Sequence, residues 1–340
     1  MRERPRKRIG HCFAAAGLFL LTLVSEMAQA AKVETVTFQT NIIPKTHEQP
    51  VKLIAKLYLP DKQSGPLSAV IISPSSGGIR EEREVYYAEE LVKAGIAALV
   101  IDSFSSRGLA KSTHDQSLLS PWQSSNDAVA GLRWLIADGR FKADRIGVMG
   151  VSKGGGAALN AAIAVRQRWR EGFPHQFDLQ VAICPGATAQ HRDPTTHGRP
   201  MFFMLAARDD YTPAPLTVEY AERMRAAGNG RIKVKVYGNA HHGWESVGPV
   251  FDIKDAENWS CCTNFIEDDG RHFVVAAGRA MSEPEYQAWA RRHCVTKGAR
   301  AGGGTPELKQ RATADLLAFL QAQGFASSWT NRTVPAIHAA

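Results

Sequence analysis

Three short segments hold residue types that can carry nucleophilic chemistry together. In Gly150-Val151-Ser152-Lys153-Gly154 a serine stands between two glycines. An unbroken apolar run over 146–151 precedes it and a helical pattern over 154–169 follows. A serine at a sharp strand-to-helix turn is held in a strained backbone, and only glycines two positions away leave room for that turn. Its hydroxyl then projects at the carboxyl edge of a sheet, beside a helix N-terminus that favours developing negative charge. The bare pattern is weak; its place between strand and helix makes it specific.

A serine hydroxyl needs a base, and the base needs an orienting carboxylate. After an apolar run over 201–207 come Asp209 and Asp210, followed by Tyr211-Thr212-Pro213. After a run over 232–237 come His241 and His242, followed by Gly243-Trp244. The order serine, acid, histidine, each in a loop after a later strand, is that of the sheet hydrolases. One aspartate and one histidine of each pair must do something plainer, such as starting a turn.

The elements that would position these loops follow from periodicity. Segments 33–39 and 51–59 alternate apolar and polar residues, as half-buried antiparallel strands do. Unbroken apolar runs over 67–72, 97–101, 146–151, 179–183, 201–207 and 232–237 predict parallel strands buried on both faces. Helical patterns lie between them over 82–94, 126–137, 154–169 and 216–227, with a last one over 306–323. This βαβ series predicts a doubly wound, mostly parallel α/β sheet with helices on both faces and its first strands antiparallel.

With these segments the chain resembles the dienelactone hydrolase family of α/β-hydrolases over nearly all of residues 31–340. The matching stretches are Asp102-Ser-Phe-Ser-Ser-Arg-Gly108, Asp144-Arg-Ile-Gly-Val-Met-Gly150 with the serine turn, the Asp-x-x-Thr-Pro stretch and His-His-Gly-Trp. The resemblance implies an α/β-hydrolase fold with Asp209 as acid and His242 as base; Asp210 and His241 are the close rivals. Members known for dienelactone chemistry carry a cysteine nucleophile, so Ser152 moves the expectation towards serine esterases. Relatives often show His-Gly after the strand equivalent to 67–72, whereas this chain has Ser73-Pro74-Ser75-Ser76-Gly77-Gly78. The oxyanion donors expected are the N–H of Lys153 and one N–H of that loop, Ser76 rather than Ser75; Pro74 has none to offer. Arg107 is a candidate partner for an anionic substrate group, because guanidinium binds carboxylate bidentately.

Composition bounds the rest. The 340 residues are 44% hydrophobic and 22% charged, which excludes a disordered chain, a collagen-like fibre and a coiled coil. Arg2, Arg4, Arg6, Lys7 and Arg8, then an apolar stretch over 12–24, then Ala28-Gln29-Ala30, have the three parts of a secretory signal peptide. Cleavage after residue 30 predicts a secreted or periplasmic protein, residues 31–340 forming one domain with no stable membrane insertion. It removes five positive and two negative charges, so the formal +8 falls to +5. The remaining basic residues are scattered among acids, which argues against nucleic acid as partner. Four cysteines remain. Cys184 sits in a buried run and reads as core; Cys294 is expected to pair with Cys261 or Cys262, with Cys262 as the working choice. Their spacing fits no common zinc pattern, and neither metal nor cofactor is expected. The bridge would staple an insertion over about 250–300, with a hairpin over 264–274 turning at Asp268-Asp269-Gly270; it either shapes the pocket or decorates a distant surface. The function expected is an exported serine hydrolase that cleaves small-molecule carboxylic esters or lactones through an acyl-enzyme. The alternatives are a non-catalytic binding protein of the same fold, or a serine peptidase or amidase.

Overall fold

The structure, a computed structural model, describes residues 32–40, 50–61, 65–169 and 173–326. The expected signal peptide, 1–30, lies outside them. Among the described residues up to 237, nine strands form: β1 Lys32–Gln39, β2 Lys52–Leu59, β3 Leu67–Ser73, β4 Ala97–Asp102, β5 Phe141–Val151, β6 Leu179–Ile183, β7 Ala189–His191, β8 Met201–Ala206 and β9 Ile232–Tyr237. All but β7 form one eight-stranded sheet in the order β1-β2-β4-β3-β5-β6-β8-β9. β2 is antiparallel to both its neighbours, and the strands from β4 to β9 run parallel.

Among the described residues, seven α-helices accompany the strands: α1 Tyr86–Lys93, α2 Pro121–Asp138, α3 Lys153–Ala162, α4 Ala164–Arg168, α5 Ala214–Ala226, α6 Glu283–His293 and α7 Pro306–Ala322. β3 shows why the strands read as unbroken apolar runs. Val70 and Ile72 pack with Leu91 of α1 and with Leu316 and Leu320 of α7, while Ala69 and Ile71 meet Ala128 and Leu132 of α2 and Ala158 of α3. Successive strand residues point to opposite faces, and here both faces are cores. Each fully buried Leu, Ile or Val side chain contributes about 1.5–3 kcal/mol of transfer free energy. α5 covers the same face as α3, with Phe203 and Leu205 of β8 beneath it.

Two helices depart from the periodicity. α2 begins at Pro121, before its apolar pattern sets in, because Ser120 and Gln123 form a reciprocal capping box and proline fits the first turn. The helix expected over 154–169 breaks at Ile163, whose extended backbone (ψ 125°) bridges to Thr196. α4 then starts in a new direction, with the Ala164 N–H donating to the Thr195 carbonyl at 2.9 Å.

The insertion is closed by its own ends. Val250–Asp252 pairs with Arg300–Gly302, and Glu257–Asn258 pairs with Thr296–Lys297. The hairpin reading holds, with Phe265 opposite Phe273, and its first strand lies parallel to β7. Cys262 is bonded to Cys294, across a sequence separation of 32, in a small core with Val274, Met281 and Tyr286. Cys261 is exposed and free, and Cys184 is buried and free. Cys294→Ser is expected to lower stability by about 2–4 kcal/mol. The check is the melting temperature of wild type and variant with and without reductant; a wild type indifferent to reductant would contradict it.

Candidate active site

The turn at Ser152 is forced by three backbones that nearly touch. Ser152 has φ 57° and ψ −116°, a conformation few side chains tolerate, and its N–H donates to the Ile183 carbonyl at 2.8 Å. A Cβ on Gly154 would stand 2.0 Å from the Ser73 carbonyl oxygen, and one on Gly150 would stand 2.4 Å from the Gly154 carbonyl carbon. Both glycines of the motif are therefore steric requirements. A third, Gly155, is needed too, since its Cβ would lie 2.7 Å from the Ile183 oxygen.

Of the two aspartates and two histidines, the fold brings one of each together. His242 Nδ1 lies 2.8 Å from Asp209 Oδ2, with both side chains buried. Asp209 Oδ1 accepts from the N–H groups of Tyr211 and Thr212 at 2.9 and 2.7 Å. The Thr212 hydroxyl donates to Oδ2 at 2.8 Å. Burial pushes the Asp209 carboxyl up, but the His242 ring and these hydrogen bonds outweigh it and hold it below its ordinary value. Asp210 faces outward and pairs with Arg300 at 2.8 Å. The His241 ring Nδ1 has no hydrogen-bond partner among the described residues. Tyr211 stands edge-on to His242 with ring centroids 5.0 Å apart.

The loop after β3 is fixed by Glu84, a residue no local pattern singles out. Its Oε1 accepts the Ser75 N–H at 3.0 Å and its Oε2 accepts the Arg80 N–H at 2.9 Å. Arg83 donates to the Gly78 carbonyl at 3.0 Å and to Glu84 at 2.9 Å. The Ser75 N–H is thus engaged, whereas that of Ser76 has no partner among the described residues. The Lys153 N–H opens α3, where helix geometry leaves it without an intrahelical partner. The Lys153 side chain turns the other way, its ammonium donating to the carbonyls of Gln116 and Leu119. Burial pushes its pKa down to about 7.

Ser152, Lys153, Tyr211 and Thr212 open onto a cavity of about 220 Å³. Glu257, Trp259, His272 and Tyr286 of the insertion line its far side. The insertion therefore shapes the pocket. Cys184, Asp209 and His242 bring one possible metal-ligand atom each within 4.8 Å of one another. Nδ1 and Oδ2 are hydrogen-bonded at 2.8 Å, however, while two ligands about 2.0 Å from one tetrahedral ion stand about 3.3 Å apart. The trio as placed fits a proton better than an ion.

The expectation for Arg107 is corrected. Its guanidinium forms a fork on Asp127, at 2.9 and 2.8 Å, and also donates to the Ser103 carbonyl at 2.7 Å. Asp127 is fully buried, so its charge requires that partner, and Arg107 is not part of the cavity wall. Sequence could identify a bidentate donor but not which acid would hold it.

A serine held at a strained strand-to-helix turn of this sheet, with a hydrogen-bonded aspartate and histidine on loops after later strands, defines an α/β-hydrolase fold. Residues 53–267 match the Dienelactone hydrolase family, and the chain belongs to that family. The match ends before α6 and Cys294, so much of the insertion lies beyond it. A Bradyrhizobium protein named "Probable 2-oxo-3-(5-oxofuran-2-ylidene)propanoate lactonase" is 27% identical over 169 residues, covering 48% of this chain and 67% of that one. An uncharacterized protein of Pseudomonas aeruginosa is 30% identical over 120 residues, 35% of this chain and 31% of its own length. An uncharacterized Escherichia coli protein is 29% identical over 119 residues, 34% of this chain and 38% of that one, so the match spans about a third of these two relatives. Among solved structures, esterase 2 of Thermogutta terrifontis superposes with a TM-score of 0.55 at 16% identity, covering 87% of this chain and 97% of that one.

Arg107→Met would leave the Asp127 carboxylate buried without its partner. The expected loss is about 3–5 kcal/mol in chemical denaturation. A variant as stable as wild type would show that the pair is dispensable.

Proposed function

We propose that the protein is an exported serine hydrolase that cleaves carboxylic esters or lactones through an acyl-enzyme. One observation carries the reading: the 2.8 Å hydrogen bond from His242 Nδ1 to Asp209, on the loops that follow the strained Ser152 in the order the chemistry requires. In the proposed mechanism Ser152 Oγ attacks the ester carbonyl and passes its proton to His242 Nε2. Asp209 fixes the tautomer by holding Nδ1–H and stabilises the imidazolium as it forms. The N–H groups of Lys153 and Ser76 receive the oxyanion. His242 returns the proton to the leaving alkoxide, and a water deprotonated by the same ring then releases the acid and frees Ser152. In a lactone the leaving oxygen stays tethered to the acyl group, and the relative named as a lactonase supports including that class. Export is supported by the leader pattern and by the Cys262–Cys294 bridge, since disulfides persist in oxidising compartments.

A fluorophosphonate probe and a panel of p-nitrophenyl esters and small lactones test the reading on residues 31–340. Ser152→Ala and His242→Ala are each expected to lower turnover by about 10⁴–10⁶ and the first to abolish labelling, with His241→Ala far milder. Turnover by Ser152→Ala within tenfold of wild type would refute the mechanism. Asp209→Asn should lower the rate by about 10⁴ by favouring the wrong imidazole tautomer. Asp210→Asn removes only an exposed ion pair and should change the rate little; a larger loss there than at Asp209 would reassign the acid.

A further inference from the structure

One cation in the cavity wall has no carboxylate bonded to it among the described residues. Arg166 of α4 is 8% exposed and lines the cavity that Ser152 opens onto. Its Nε donates to His191 Nε2 at 2.8 Å, and its plane lies 4.3 Å from the Trp122 ring centroid and 4.9 Å from that of Trp169. These contacts fix the guanidinium but leave both terminal NH₂ groups without an acceptor among the described residues. No carboxylate oxygen of those residues stands within 4.0 Å of it. The two acids of the wall are hydrogen-bonded elsewhere, and Glu283 reaches Arg166 only as a longer-range attraction. Glu283 accepts from His272 at 3.1 Å and from Gln287 at 2.9 Å, and Glu257 accepts from Arg291 at 3.1 Å and from the Gln116 N–H at 2.8 Å. A guanidinium fixed by its neighbours with its terminal N–H groups open to a cavity can complete its fork on a ligand, and its geometry matches a carboxylate or phosphate.

The same wall sets a distance. Ser152, Gly156 and Asn160 follow one another down one helix face as cavity lining, and eight residues of helix rise about 12 Å. Arg166 lies beyond Asn160 in the chain, and the break at Ile163 starts α4 in its own direction. The opposite side is built by His272, Glu283 and Tyr286, which lie outside the residues that match the family.

We propose that Arg166 anchors an acidic group at the far end of an elongated ester substrate, roughly 10 Å from the carbonyl that Ser152 attacks. This rests on the reading of Ser152 as nucleophile. A compact lactone with its carboxylate on the ring is too short to engage both.

The test compares 4-nitrophenyl monoesters of glutaric, suberic and sebacic acids with the same compounds capped as methyl esters. A second series, acetate esters of ω-hydroxyalkanoic acids of equal span with their methyl esters, places the acid on the alcohol side. One series is expected to favour the free acid at least tenfold in kcat/KM at the suberate and sebacate lengths, with little preference at glutarate. Arg166→Met should abolish that ratio and Arg166→Lys retain part of it. If Arg166→Met does not fold, the wild-type length series and the lysine variant decide. Calorimetry of monomethyl sebacate and of dimethyl sebacate on Ser152→Ala reads the anchor without turnover. Equal affinity for the two, equal turnover of acid and methyl ester in both series, a preference confined to glutarate, or a preference that survives Arg166→Met would each overturn the proposal. Absent turnover and absent fluorophosphonate labelling, with acid-selective binding retained, would instead overturn the serine hydrolase reading and keep the anchor.

Discussion

Three backbones crowd together at the turn between β5 and α3. Gly154 passes so close to the Ser73 carbonyl that a methyl group could not fit between them, and Gly155 does the same against Ile183. This contact brings the carboxyl ends of β3, β5 and β6 to the start of α3. Ser152 is left in a backbone conformation it would not adopt alone, stabilised because the sheet and helix around it are buried on both sides. The same approach puts the start of the loop after β3 beside the first turn of α3, with the Ser73 and Pro74 carbonyls against Gly154.

Around that fixed point the polar groups are arranged by satisfaction rather than by proximity alone. Glu84 takes the Ser75 N–H and so distinguishes it from Ser76. Asp209 accepts from two loop N–H groups, a hydroxyl and His242, so a buried carboxylate stays ionised. Lys153 is buried against carbonyls of the 116–120 stretch and joins the turn to the loop that leads into α2. Arg107 and Asp127 neutralise each other beneath the sheet edge. Arg166 has no carboxylate bonded to it among the described residues, and it faces the cavity.

The insertion turns an open sheet edge into an enclosed pocket. Its ends are zipped by short strand pairs, its middle is bridged by Cys262–Cys294, and its hairpin extends from β7. Its closing strands are tied to the acid and histidine loops, with the Gly302 N–H donating to the His242 carbonyl and Arg300 paired with Asp210, while its hairpin and α6 form the wall of the pocket. Pocket walls differ among proteins that share a fold, which is why the fold leaves the substrate open.

Much of this was readable from residue order. Period-two and period-3.6 patterns place strands and helices because burial acts on every turn and every pleat, and the parallel core followed from runs buried on both faces. The glycine-flanked serine was legible because steric exclusion at a sharp turn leaves a mark in residue type. Tertiary structure alone decided which of two adjacent residues faces inward, as with Asp209 over Asp210 and Cys262 over Cys261, and that Glu84 engages the Ser75 N–H. Neighbours in a loop share composition and differ only in direction. It alone also decided that Arg107 meets a buried Asp127 while Arg166, in an unremarkable helix, reaches the cavity. A charged side chain's role depends on the partner that long-range packing brings to it, and no local pattern records that partner.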